Sequence, residues 1–349
     1  MITDRENWLR AIEYRYPEWI PSSVGFLPMI WLTHREKLEE VVLRHPLMFP
    51  GYKPGSAHWE NLSDYYTAGK TTTDNWACTW RVELNGAEGQ VVGHPLADWD
   101  AFKTFQPPDP RTRDERGDRD WDKIKQDLAD AKSKGNLAMG YGGRLFDRLY
   151  SLRGFENLMI DIATDDPRLT QLVQMLTDHA VQVVDLYLEA GADAIAFHTD
   201  IGTQRALMIS PEKFRKHIKP MFKTIFQRVR NAGIPVHLSS DGHLLEIVDD
   251  LIECGVSMHD PQLRANTLEG IERAYKGKMC INLDLDRQMF AFCTPQDIHD
   301  QIREAVERLD LPEGGLMMVA SVCDGETSLE NIEAMCTAME KYCLKGKKD

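Results

Sequence analysis

This sequence predicts an α/β fold: a (β/α)8 TIM barrel of parallel strands with a helical N-terminal extension. Two observations carry that expectation. Short apolar runs alternate with stretches of helical spacing along most of the 349 residues, the order in which a strand, its crossover helix and the next parallel strand follow one another. The runs are apolar or β-branched at successive positions, as in strands covered on both faces. A doubly wound open sheet is the other way to arrange such units. No GxGxxG follows any run, which weighs against a dinucleotide fold.

In chain order, PSSVGFLP (21–28) offers a possible eighth strand, and TTTDNWACTW (71–80) reads as the first of seven legible ones. The polar, Pro-rich stretch 107–126 reads as a surface excursion between the first two strands. The remaining strands are NLAMGY (136–141), DAIAFHTD (193–200), PVHLSSD (235–241), VSMHDP (256–261), KMCINLD (278–284) and LMMVASVCD (316–324). Between them, Leu169, Leu172, Val173, Leu176, Ala180, Val184 and Leu188 recur at three or four residues and stop at Gly191, the pattern of an amphipathic helix with a glycine C-cap. Ser210-Pro211 opens a second such stretch as N-cap and first helical residue, and Gly233 closes it. The whole chain, 1–349, reads as one barrel domain whose residues 1–65 form an extension covering the barrel mouth.

A formal charge of −14 without any Arg-rich run argues against nucleic acid and anionic membranes as partners. The first residues carry charges throughout and contain no apolar core, so no signal peptide is expected. No apolar window is long enough to span a bilayer. Seven cysteines without a CxxC pair fit a reduced, cytoplasmic setting.

Barrels of this kind place their active sites at the C-terminal ends of strands. Those ends carry Asp74; Tyr141; His198, Thr199 and Asp200; Ser239, Ser240, Asp241 and His243; His259 and Asp260; Asp284 and Asp286; and Cys323 with Asp324. Such a convergence of carboxylates, imidazoles and a thiol on one rim points to an enzyme. Simpler roles stay open for several of them. Asp74 suits a buried carboxylate held by backbone N–H groups, and Asp241, before Gly242 and an apolar run, suits a helix N-cap. His179 and His217 lie within amphipathic stretches and read as surface residues. Trp76, Tyr141 and Tyr150 suit either core packing or the wall of a pocket for a flat substrate.

Several motifs together resemble the uroporphyrinogen decarboxylase superfamily: GYGGRLFDRLYSLRGFENLM, HTDIGTQRALMISPEKFRKHIKPMFKTIF, SSDGHLLEIVDDLIECGV and VCDGETSLENIEAM. The resemblance covers about residues 65–345 and implies a single (β/α)8 barrel with its cleft at the C-terminal rim. It implies that Asp74 matches a strand-end Asp and Tyr150 a cleft tyrosine, with Thr199 where that pattern has Ser and Cys323 where it has His. True decarboxylases of this group grip a polyacidic substrate with N-terminal arginines. Here PSSVGFLPMIWLTHRE has none before Arg35, and burying carboxylates without cations is costly.

The corrinoid-dependent methyltransferase branch is the closer likeness. It implies a small-molecule methyl donor and a corrinoid (cobalamin) carried on a partner protein. In its thiol-activating members a zinc is expected, but the matching positions here are Ser239 and Asp241, with only Cys323 a good ligand; His237, Asp241, His243 and Cys323 are the candidates if zinc is bound. The expectation is a methyltransferase that cleaves a methyl ether, with a methoxylated aromatic as donor, and acid help to the leaving oxygen. Asp74, His198, Asp200, Asp241 and His243 are its candidate catalytic residues. Trp76, Tyr141, Tyr150, Thr199, His237 and Cys323 are its candidate substrate-binding residues. A decarboxylase of a porphyrinogen or another acidic substrate and a zinc-dependent thiol methyltransferase are the alternatives, and a homodimer is left open.

Overall fold

A computed structural model describes residues 2–347. The chain divides into two compact units. The first holds Thr72–Trp80 and Val91–Pro261 with the N-terminal residues up to Glu6; the second holds Asn7–Thr71, Arg81–Gln90 and the chain from Gln262 onward. Ten strands are formed among the described residues: β1 (Ser22–Phe26), β2 (Thr71–Thr73), β3 (Thr79–Arg81), β4 (Gln90–Gly93), β5 (Met139–Arg144), β6 (Ala194–His198), β7 (Val236–Ser239), β8 (Met258–His259), β9 (Cys280–Asp284) and β10 (Leu316–Val322). Seven of them are the parallel strands of an α/β, TIM-barrel-type fold, and the helices Asp4–Ile12, Pro28–His34 and Glu36–Arg44 make the helical N-terminal segment.

In the first unit β5, β6, β7 and β8 lie side by side in that order, with Ala196 opposite His237 and Leu238 opposite His259. In the second, β10 lies between β1 and β9, with Val24 opposite Ala320 and Met318 opposite Leu283. The eighth strand suggested by 21–28 is therefore formed. The run 71–80 departs from expectation: it is two short strands, β2 and β3, of a separate three-stranded sheet. The reason is local. Asp74 accepts the backbone N–H groups of Trp76 (2.9 Å) and Cys78 (2.8 Å) and so folds the chain into a turn at the middle of the run.

The helices follow their sequence signals closely. The helix Pro167–Ala190 has Asp166 as an N-cap accepting from Arg168 N, proline at its start, and Gly191 at φ 85° at its end. Its apolar stripe, Leu169, Leu172, Val173, Leu176, Ala180 and Val184, is buried. Ser210 accepts from Lys213 N as expected, but the helix it opens widens into a π-type turn at Phe214–Ile218 before continuing as Lys219–Asn231. Pro220 explains this, because it lacks an N–H and crowds the preceding turn. No helix among the described residues is long and apolar enough to cross a membrane.

Strand β5 is irregular where it nears the rim: its register against β6 shifts between Tyr141 and Gly143. The core beneath explains why a glycine is needed there. Phe197 is 1% exposed and packs on Phe226 at 5.0 Å, and a Cβ on Gly142 would stand 2.1 Å from the Phe197 ring. Gly142→Ala forces that ring from its place. We expect a loss of about 1–3 kcal/mol of stability, read as a lower midpoint in urea unfolding; an unchanged midpoint would show that the ring is not held there.

Candidate active site

The candidate site is built by the first unit from the ends of β5 to β8 and the loops that follow. Its centre is His198, the last residue of β6. Nδ1 of its ring lies 3.3 Å from Asp147 Oδ2 and Nε2 lies 3.7 Å from Asp200 Oδ1. Asp147 is 2% exposed and sits at the start of the helix Phe146–Arg153, which Thr199 fastens to β6 by accepting the Phe146 N–H at 3.1 Å. Arg144 donates to the same Asp147 oxygen at 3.2 Å.

The charges follow from this geometry. Burial works against the charged form of both partners. The hydrogen bond and the charge of His198, with those of Arg144 and Arg148, nonetheless hold Asp147 below the ordinary carboxylate range. Burial likewise opposes charge on His198, but the bond and charge of Asp147, and then the charge of Asp200, outweigh it and raise the imidazole to about 9. His198 is thus an imidazolium at neutral pH, with one N–H toward each carboxylate. Because its pKa is raised on folding, the pair stabilises the fold fully below about pH 6.5, and that contribution fades as pH climbs through about 9. Asp200 is pushed the other way from Asp147. Burial raises it and Asp241 adds to that, against the opposing pull of His198.

Two rim loops are locked together beside this centre. Asp200 Oδ1 accepts the Asp241 N–H at 3.1 Å, and His243 N–H donates to Thr203 O at 2.7 Å. The loops approach so closely that a Cβ on Gly242 would stand 2.3 Å from the backbone of Gly202, and Gly242 has φ +92°. The segment 237–243 therefore meets a neighbouring loop at Asp241-Gly242-His243. Asp241 does not cap the following helix, which begins at Leu245 and Val248 without a side-chain cap. His237 is engaged separately, its Nε2 2.6 Å from Asp260 Oδ1.

Other expected site residues lie outside this centre. Asp74, 5% exposed, spends both oxygens on Trp76 N, Cys78 N, the Trp80 indole (2.9 Å) and Arg148 (3.1 Å). Trp76 is buried against the ring of His179 at 4.6 Å. His179 is half-buried, and burial, with Arg119 and Arg148, lowers it to about 4. His217 has 8% of its side chain exposed and its Nε2 lies 2.7 Å from the half-exposed Asp165. Tyr150 lies edge-on to Phe146 at 5.9 Å, and its hydroxyl is raised by burial and by Asp147, Asp200 and Asp241. Tyr141 is 37% exposed.

Cys323 belongs to the second unit, where burial pushes its thiol up against the opposing charge of Arg287. Among the described residues no three His, Cys, Asp or Glu side chains are gathered to hold a metal ion, so His237, Asp241 and His243 of the first unit do not form a ligand set. Asp147 and Arg144 escaped the sequence reading. Their signal was a charge triplet, Arg144, Asp147 and Arg148, spaced three and four residues apart directly after a strand end.

Residues 75–342 match the family model for uroporphyrinogen decarboxylase (URO-D), and the chain belongs to that family. A curated relative, the uroporphyrinogen decarboxylase of Carboxydothermus hydrogenoformans, is 25% identical over 170 residues. The match spans 47% of this chain and 45% of the relative, less than half of its length. Among solved structures, a methyltransferase from Methanosarcina mazei is similar along 98% of this chain and 99% of its own, with a TM-score of 0.62 at 17% identity. That likeness is one of fold.

The electrostatics make one direct prediction. Asp147→Asn removes the charge that sustains the His198 imidazolium and leaves burial to dominate. The ring's pKa, followed by NMR titration, should fall from about 9 to below the ordinary histidine value of about 6.5. A variant still titrating near 9 would show that Asp147 is not the partner that matters.

Proposed function

We propose that the chain is a methyltransferase that cleaves a methyl ether, a methoxylated arene, and passes the methyl group to the corrinoid of a separate protein. The observation that carries this reading is the His198 imidazolium, fixed at a strand end between Asp147 and Asp200. Breaking a methyl carbon–oxygen bond leaves charge on oxygen, and a positioned proton donor neutralises it as it develops. A corrinoid carried on a docked partner protein would supply the acceptor for the methyl group. The methyl group leaves with that acceptor, and the oxygen takes the His198 Nε2 proton to depart as a phenol. Asp147 keeps the ring oriented throughout. Asp200, raised by burial, lies next to Nε2 and returns a proton from solvent. The setting proposed is the cytoplasm.

The N-terminal segment supports this reading over a polyacidic substrate. Its stretch 21–36 has no arginine before Arg35, and Arg35 is exposed at a helix junction. One second reading has support, from the family and its curated relative: decarboxylation, in which the same imidazolium would protonate the carbanion left by CO2.

The test is to incubate the purified chain with a reduced corrinoid protein and a panel of methoxyarenes and to quantify the phenol released. We expect phenol formation whose rate falls as pH rises through about 9, because the acid must be protonated to act. His198→Gln should slow it by about 10²–10⁴-fold. A folded chain that releases no phenol from any donor, while liberating CO2 from a carboxylic acid, would replace this reading with the second.

A further inference from the structure

A second feature lies wholly within the second unit. Residues just past the end of β1 and in the stretch 57–66 line an open pocket of about 390 Å³. Its walls are aromatic: Phe26, Trp31, Trp59 and Tyr66. Its edge carries Asn61 and Ser63, and its lining contains no Lys, Arg, Asp or Glu. The volume is that of a small-ligand site, which runs roughly 300–1,000 Å³.

The walls are ordered as a platform. Trp31 lies parallel to Trp59, with centroids 6.0 Å apart and planes 1° apart, and parallel to Tyr52 at 6.3 Å and 8°. Phe26 meets Trp31 edge-on at 5.9 Å and stacks on Phe49 at 5.8 Å. One carboxylate pins the far side: Glu39 accepts from the Tyr52 hydroxyl at 2.8 Å and from Gly55 N at 2.6 Å. Rings held in advance lose little conformational freedom when a ligand stacks on them.

Trp31, Trp59, Phe26 and Tyr66 all stay half-buried, so their remaining faces are open to a partner. A planar ring gains stacking and edge-to-face contact from such walls, beyond simple burial. A saturated ring of the same size gains only the burial. An anionic ligand finds no Lys or Arg in this lining, which also holds His58, whereas the amide of Asn61 and the hydroxyl of Ser63 suit uncharged oxygens.

We propose that this pocket is a binding site for a neutral, planar arene carrying small oxygen substituents. The choice of a methoxyarene as probe rests on the methyl-ether reading; the site itself rests on the residues above. The experiment is calorimetric titration of the full chain with 1,2-dimethoxybenzene and, separately, with its saturated analogue 1,2-dimethoxycyclohexane. The arene should bind, and the saturated analogue should bind at least about tenfold more weakly, the size of one good aromatic contact. Trp59→Ala should weaken the arene about tenfold, while Trp59→Phe, which keeps a ring, should stay within about threefold and guard against a folding artefact.

Equal affinity for the two ligands, no binding of the arene, or undiminished binding by both Trp31→Ala and Trp59→Ala would overturn the assignment. Tryptophan-dependent arene binding without any demethylation would keep this site and remove the methyl-ether reading. Demethylation with binding indifferent to both tryptophans would do the reverse.

Discussion

A charge buried at the start of a helix constrains the arrangement around His198. Asp147 is 2% exposed, and a carboxylate in such a place is tolerated only if it is paired and hydrogen-bonded. Its partners are therefore constrained. His198 must turn Nδ1 toward it and keep its proton, and Arg144 must bend back from the strand end to reach the same oxygen. The helix that carries Asp147 must begin where Thr199 can receive its first N–H. Strand end, helix start and imidazole protonation thus form one coupled arrangement, and a change in any one of them alters the other two.

The same logic separates two buried aspartates of the first unit. Asp74 meets two backbone N–H groups, an indole N–H and a guanidinium. These partners are spent on holding a turn and the residues packed around it. Asp147 has fewer bonds, and one of them goes to a group that titrates. Its electrostatic effect is therefore delivered to an ionisable ring at the rim. Equal burial with different partners yields a structural carboxylate in one case and an electrostatic support in the other.

How much of this was readable in advance depended on distance along the chain. Alternating runs and helix caps are local signals, and Gly191, Ser210 and the strands bearing His198 and His237 stand where those signals put them. The run 71–80 misled because its threonines and tryptophans have strand propensity at both ends, while one side chain, Asp74, folds its middle into a turn. Asp241-Gly242 resembled a helix start, but Gly242 answers a nonlocal demand: the backbone of Gly202 lies where any Cβ would be. Asp147 carries no local mark of its role. Its burial comes from the place of its helix beside the end of β6, where Thr199 holds the Phe146 N–H, and periodicity alone cannot report that contact.

The value to which His198 is raised bears on the kind of bond the site suits. An ordinary histidine, at about 6.5, would be only about one quarter protonated at pH 7. At about 9 it is protonated almost completely. The proposed leaving group is a phenolate, whose phenol ionises near about 10, as tyrosine does. A donor raised above neutral pH holds its proton against water beforehand and can pass it to the oxygen as the carbon–oxygen bond breaks. An acid whose pKa lies below neutral pH would already be ionised before substrate arrived, and one much weaker than phenol would leave the oxygen charged. Asp147 therefore contributes more than orientation: by sustaining the imidazolium it keeps a proton on His198 at neutral pH, the state a general acid in the proposed reaction requires.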